Sequence, residues 1–400
     1  MLTMVFIKSK TLLLLPALLL SCSCSFWSKV PEQPAALADT VQLEQYFNAL
    51  VDCGTPPGIS LAVVKDGRII YQKGFGWADE PRNIPMTSES VCHWWSITKI
   101  VTAIAILQLR DQGKLKLDDS VRTYVPFFDV CYPTAHSKRV TIGHLLTHSS
   151  GLPDPGWRII GWIHHDGDPP VNQTELIKNV LPNFSTLEFE PGEDARYTNI
   201  GYMVLGAIIE KVTGQTYEDY VREKVLKPLA LNHTDFLYTK AMQPYEAAGS
   251  HPVYNAMTLL LPLVAASYIR ESSGNHIWFE RVYTDQTPST GLIGSATDAA
   301  RLVAAYLNGG ELDGHRILSK KSIYAMTKED HIMKGTRGQG IGWQIYDDHG
   351  QLMIQHSGGG PGFRTEMKLF PEKNLGLVLF TNDVTCETWR LISLAATVPW

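Results

Sequence analysis

No cluster of lysines or arginines occurs in this 400-residue chain, so it offers no basic footprint for a nucleic acid. Charged residues make up only 19%, and the net charge of −5 bears on solubility rather than on a partner. Cysteine is sparse and scattered (Cys22, Cys24, Cys53, Cys92, Cys131, Cys386), with no Cys-x-x-Cys pair. That pattern indicates neither a zinc site nor a disulfide framework, although an oxidising compartment would permit one bridge. Internal repeats, a Gly-x-Ser-x-Gly elbow, a Walker loop and a dinucleotide fingerprint are all missing, which removes the commonest rival enzyme classes on motif grounds. What remains, 44% hydrophobic over 400 residues, is the composition of a globular enzyme with room for a large core.

The N-terminus reads as a targeting segment. Lys8 and Lys10 precede Leu12–Leu20, an apolar run too short to span a bilayer, and Ser21-Cys22 follows. Residues 1–22 are therefore expected to be a signal peptide. Leu19-Leu20-Ser21-Cys22 is similar to a bacterial lipobox, with Cys22 the lipidated residue; the plainer alternative is a cleaved signal with Cys22 incidental. Residues 23–39 are expected to be a tether and residues 40–396 the folded domain. The expected location follows: export across the inner membrane, with a lipid anchor facing the periplasm or cell exterior.

Along the domain, Leu43, Tyr46, Phe47 and Leu50 have helical spacing, and Ile59–Val64, Asp66-Gly67 and Arg68–Tyr71 spell a β-hairpin. Ser96–Asp111 is apolar on almost every side, as in a helix buried all round, and Gly113 stops it. Further helices are expected over 141–147, 174–180, 200–213, 217–225 and 297–307, and strands over 340–346, 352–356, 365–370 and 375–380. A last helix is expected over 387–396. Strands at both ends around a helical middle imply an α+β fold, one antiparallel sheet built from both termini with an inserted helical lobe. The α/β lobe would take about 40–95 and 290–396, the helical lobe about 96–289.

Ser96-Ile-Thr-Lys99 places a hydroxyl and an ammonium on one helix face. Serine attacks carbonyls only with a base in reach, and lysine serves as one if burial lowers its pKa. The tetrad alone is weak, since a chain of this size contains about one by chance. Tyr197-Thr-Asn199 supplies a phenol whose pKa a neighbouring lysine would lower, and an amide to orient the nucleophile's surroundings. The spacing recurs at Tyr46-Phe-Asn48 and Tyr306-Leu-Asn308, which read as core and capping residues. His356-Ser357-Gly358-Gly359-Gly360 ends a strand; Gly359 could offer an oxyanion N–H, or the run could be a β-turn bearing a surface histidine. His144 and His148 lie four apart, but without a glutamate or third ligand they read as bracing residues, so no metal is expected.

Taken in order, Ser96-x-x-Lys99, Tyr197-x-Asn199 and His356-Ser-Gly resemble the three motifs of the serine β-lactamase superfamily: class C β-lactamases, DD-peptidases and β-lactamase-like esterases. Leu145–Leu152, Thr290–Asp298 and Gly340–Trp343 look similar too, so the resemblance spans roughly 40–395. It implies an acyl-enzyme on Ser96, with Lys99 and Tyr197 sharing the proton and no metal or organic cofactor. Asn199 would touch the substrate amide or Lys99, while His356, Ser357, Gly358 and Gly359 would bind substrate and oxyanion. Many β-lactamases carry Lys-Thr-Gly where this chain has His356-Ser357-Gly358, and a histidine is mostly neutral. The expected function is a cell-envelope serine hydrolase of small esters or D-amino-acid amides. The alternatives are a β-lactamase or DD-carboxypeptidase, and a non-catalytic penicillin-binding-like protein. The expected partners are a small-molecule substrate and, through the anchor, a membrane, with no nucleic acid.

Overall fold

The computed structural model describes residues 30–165, 171–254, 266–328, 331–332, 338–348 and 351–400. The expected signal and Cys22 lie outside these residues, as do Asp166–Pro170 and nearly all of the apolar run Leu259–Ala266. Alternation of large apolar residues shapes the centre of the fold. In β1 (Gly58–Lys65), Ile59, Leu61 and Val63 face one side, Ala62 and Val64 the other. Asp66 and Gly67, both at positive φ (50° and 69°), turn the chain into β2 (Arg68–Asp79), and β3 (Ile84–Pro85) follows. From the other end come β4 (His331–Ile332), β5 (Gly338–Gln339), β6 (Gln344–Asp348), β7 (Gln351–Gly360), β8 (Phe363–Phe370) and β9 (Leu375–Thr381). They form one nine-stranded sheet, ordered β4-β5-β6-β7-β8-β9-β1-β2-β3 and antiparallel throughout. The α+β architecture expected from the sequence is therefore present, with the two ends of the chain joined at β9 and β1.

One face of the sheet is covered by α1 (Thr40–Asp52) and the C-terminal helix Thr388–Ala395, through Leu43, Phe47 and Ile392 on Ile59, Leu61, Leu377 and Leu379. The other face carries Ala62, Val64, Val378 and Phe380 into the main core with α2 (Thr98–Asp111). Every residue of α2 from Thr98 to Leu109 is buried, the all-round burial its composition implies. Chain entry is anchored as well: Leu37 is buried and its N–H donates to Thr397 Oγ1 at 2.9 Å, so the expected tether is docked at that end. The segment between the sheet's two halves is less purely helical than its periodicity suggested. Its helices include α3 (Ile142–Leu146), α4 (Asn199–Thr213) and α5 (Thr287–Thr290), but short strands at 250–252, 269–273 and 276–279 form a separate small sheet.

Two features of the fold create the site. β6 meets β7 only along Gln351–Gln355, and the 3-10 turn Trp95–Ile97 also packs against β7. Gly358–Gly360, for which strand end and β-turn are both open in the sequence, continue β7 in register with Phe363–Thr365. Close neighbours occupy the space where their side chains would stand. A Cβ on Gly358 would meet Trp94 O at 2.2 Å, and one on Gly360 the Trp95 indole at 2.5 Å. The actual turn falls at Pro361-Gly362, with Gly362 at φ 80°.

Candidate active site

Ser96 lies in the Trp95–Ile97 turn, two residues before α2 rather than within it. Trp95 is held at φ 48°, a conformation rarely adopted by an aromatic residue. Its surroundings fix it: Trp94 N–H donates to Leu292 O (2.8 Å), Trp94 O accepts from Thr365 Oγ1 (3.0 Å), and His93 stacks on the Trp95 ring at 4.6 Å. The turn thus presents Ser96 at a set angle, half-buried, facing β7.

Lys99, one turn along, is fully buried. Its Nζ lies 2.7 Å from Asn199 Oδ1, 2.9 Å from Ser289 O on α5 and 3.3 Å from Ser96 Oγ. Burial pulls its pKa down from 10.5 to about 7, against the opposing pull of the Asp154 charge. A neutral amine has two N–H groups and one lone pair. The two nearer partners are acceptors, so the N–H groups go to them and the lone pair faces Ser96. Asn199 is oriented for this: its N–H and Nδ2 both donate to Asp154 Oδ1 (2.8 and 3.1 Å), which leaves its carbonyl for Lys99.

Tyr197 donates its hydroxyl to Ser96 Oγ at 2.6 Å, and its ring lies 4.8 Å from Lys99 Nζ. The sequence suggested a phenol made more acidic by the lysine; the structure shows the opposite. Burial pushes the Tyr197 pKa up, with the hydrogen bond to Ser96 only partly offsetting it. A lysine titrating near 7 is too weak a cation to reverse this, so Tyr197 is a resting proton donor. His148, at φ 56°, braces it from behind: the rings are 4.6 Å apart and His148 Nδ1 accepts from Thr198 N–H at 3.2 Å. His144 closes a capping box with Thr141 on α3. Both histidines therefore have the bracing roles the sequence suggested.

A cavity of about 370 Å³ opens on this cluster, lined by Ser96, Tyr197, Gln339, Gln344, His356, Ser357, Gly359 and Arg364. The structure thus gathers Ser96, Lys99, Tyr197 and Asn199 into one hydrogen-bonded group, with His356, Ser357 and Gly359 across the cavity. Gly358 lies behind, packed on Trp94. His356 is buried; burial, then the nearby Lys99 charge, pulls its pKa down to about 3, so it is neutral at physiological pH. Its Nδ1 faces Ser357 O at 2.9 Å and so carries the proton. Asp154, Ser289, Gln339, Gln344 and Arg364 escaped the sequence reading. Only long-range pairing brings them in; Arg364, for example, sits opposite Gly359 in the register of β7 and β8. Cys92, beside the motif, is a buried small residue whose thiol burial pushes up.

The sheet, the helical insertion and the placement of this cluster define the β-lactamase/transpeptidase-like fold. The chain belongs to the beta-lactamase family, whose model matches residues 43–395, a family generally of hydrolases. It is similar to Protein flp of Staphylococcus aureus (strain N315), 27% identical over 346 residues that cover 85% of this chain; it spans only 62% of that relative's length. Among solved structures, the octameric penicillin-binding protein homologue from Pyrococcus abyssi aligns with TM-score 0.73 and 29% identity, over 90% of this chain and 77% of that one. EstCE1, a hydrolase with promiscuous acyltransferase activity, shares the fold at TM-score 0.69 and 22% identity, over 90% of this chain and 98% of that one.

One outcome follows directly from the Asp154 charge. Asp154→Asn keeps an oxygen for Asn199 but removes the anion that holds the Lys99 pKa up. The acid limb of kcat/KM is expected to move to lower pH by about half to one unit, measured as a pH–rate profile on a chromogenic ester.

Proposed function

We propose that the protein is a serine hydrolase that forms an acyl-enzyme at Ser96 and acts on small esters or D-amino-acid amides in the cell envelope. One observation carries this reading: the buried Lys99 Nζ lies 2.7 Å from Asn199 Oδ1 and 2.9 Å from Ser289 O, both acceptors, and 3.3 Å from Ser96 Oγ, so that its amine, when neutral, turns a lone pair to the serine. As Ser96 Oγ attacks the carbonyl, its proton passes to Lys99. Tyr197, already donating to Oγ, steadies the charge and relays a proton to the leaving group. Water then attacks the acyl carbonyl with the same groups acting in reverse. Backbone N–H groups of Ser96 and Gly359 are the proposed oxyanion donors, each worth roughly 3–4 kcal/mol in comparable enzymes. The hydrolase and acyltransferase activity described for EstCE1 supports an acyl-enzyme route.

A neutral His356 leaves that part of the cavity without the charge that a lysine would supply, which favours esters and D-amino-acid amides. A β-lactamase or DD-carboxypeptidase is the second reading, and Arg364 favours it by bringing a guanidinium to the cavity wall. The envelope location, with Cys22 as anchor, rests on the basic and apolar pattern of residues 1–22. The test is covalent labelling of the full chain with a fluorophosphonate and with a fluorescent penicillin, followed by peptide mass mapping, beside turnover of p-nitrophenyl esters. An adduct on the Ser96 peptide with ester turnover is expected. No adduct and no turnover would sink the enzyme reading in favour of a non-catalytic envelope protein, and nitrocefin turnover far above ester turnover would select the β-lactamase.

A further inference from the structure

A second cavity, of about 620 Å³, opens on the sheet face that carries the C-terminal helix. The alternation of three strands builds its floor. Gln344 and Tyr346 of β6 stand opposite Gln355 and Met353 of β7, and Gln355 stands opposite Lys368 of β8, all on one face. Trp389 and Ser393, one helical turn apart on the C-terminal helix, form a side wall. Gln344 and Ser357 also line the cavity that holds Ser96, so the two spaces meet round the edge where β7 runs on beyond its pairing with β6.

The lining decides what fits there. Backbone groups of these strands are taken up in the sheet ladders, so a peptide backbone finds no partners on this face. Among the described lining residues Lys368 alone is charged. It is 4% exposed, its Nζ donates to Ser393 Oγ at 2.6 Å, and Glu366 stands two residues away on the same strand face, which leaves little for an anion. The half-buried Gln355 amide makes no hydrogen bond among the described residues, which suits a polar occupant better than an acyl chain. Trp389 is 51% exposed, and its ring is braced by the Arg390 guanidinium 5.0 Å from its centre. Each glutamine amide offers a donor and an acceptor to neighbouring hydroxyls, and an indole packs well on the apolar C–H face of a sugar ring. We propose that this cavity is a saccharide subsite, which holds a neutral glycosyl portion of a substrate whose ester or amide reacts at Ser96. Binding energy gained there, away from the reacting bond, would then be available to orient that bond. The link to Ser96 rests on the proposed hydrolase reading, whereas the saccharide site stands on its lining alone.

The test titrates tri-N-acetylchitotriose, a neutral saccharide, into the full chain by isothermal calorimetry. Saturable binding with a Kd of about 1 mM is expected in the wild type and in Ser96→Ala. Trp389→Ala should weaken it about tenfold, through loss of the stacked ring. No saturable binding up to about 20 mM, or equal affinity in wild type and Trp389→Ala, would overturn the proposal. If Trp389→Ala fails to fold by circular dichroism, Gln355→Ala decides: a loss of about threefold or more supports the subsite, and unchanged affinity overturns it. Turnover reads the link to Ser96. KM for chitotriose acetylated on a 6-hydroxyl is expected about tenfold below that for N-acetylglucosamine acetylated at the same position. Equal KM values would overturn the placement of the sugar beside Ser96. Saccharide binding without turnover of these esters or of p-nitrophenyl acetate removes the hydrolase reading and leaves the saccharide site standing, whereas p-nitrophenyl acetate turnover without saccharide binding removes only the site.

Discussion

Alanine at position 96 is expected to lower kcat/KM on any accepted ester by about 10⁴-fold or more and to abolish covalent labelling. Oγ is the one atom on which the cluster converges: Tyr197 donates to it at 2.6 Å and Lys99 Nζ lies 3.3 Å away. Removing it leaves no nucleophile for either group to act on. The fold should tolerate the loss. Ser96 is half-buried, so water can satisfy the Tyr197 hydroxyl, and the neighbours that set the turn (Trp94, Trp95, Thr365) are untouched. The melting temperature is therefore expected to change by only a few degrees. Because the residues act as a unit, Ser96→Ala combined with Lys99→Met should be no slower than Ser96→Ala alone. A Ser96→Ala protein retaining more than about a hundredth of wild-type turnover would place the nucleophile elsewhere.

The pair Ser96 and Lys99 was legible because its evidence is local: one helical turn in a run apolar on every side. The same holds for the β1–β2 hairpin and for β8 and β9, where alternation and turn residues are strong. Three things were not legible, each for a physical reason. Gly358–Gly360 left strand end and turn undecided because glycine is a turn former, yet here it is required by the backbone of Trp94 and the ring of Trp95, which are some 265 residues away in sequence. Asp154 and Arg364 enter only through long-range contacts that no local pattern records. Proximity to Lys99 alone argues for a more acidic Tyr197, but burial outweighs it and also weakens the charge of that lysine.

Lys99→Met is expected to cost about 10³–10⁵-fold in kcat/KM, and Lys99→Arg about as much. A guanidinium stays protonated and cannot accept the Ser96 proton, so the charge alone does not rescue the reaction. In the wild type, the deprotonated amine grows with pH up to about 7, so kcat/KM should rise about tenfold per pH unit below that value and level above it. The same shift has a consequence for stability. The Lys99 pKa falls from 10.5 in the unfolded chain to about 7 in the native one, so between these values the unfolded state binds more protons. Native stability from this group therefore rises with pH across that window, and the burial penalty is greatest below about 7, where the lysine is charged in both states. Methionine carries no such penalty at any pH but leaves Asn199 Oδ1 and Ser289 O without a donor, a fixed cost. The melting temperature of Lys99→Met relative to wild type should consequently be highest at about pH 6 and fall steadily towards pH 10. A difference that does not vary with pH would mean that Lys99 is not held near neutrality by its burial, and the base assigned to Ser96 would have to be sought in another group.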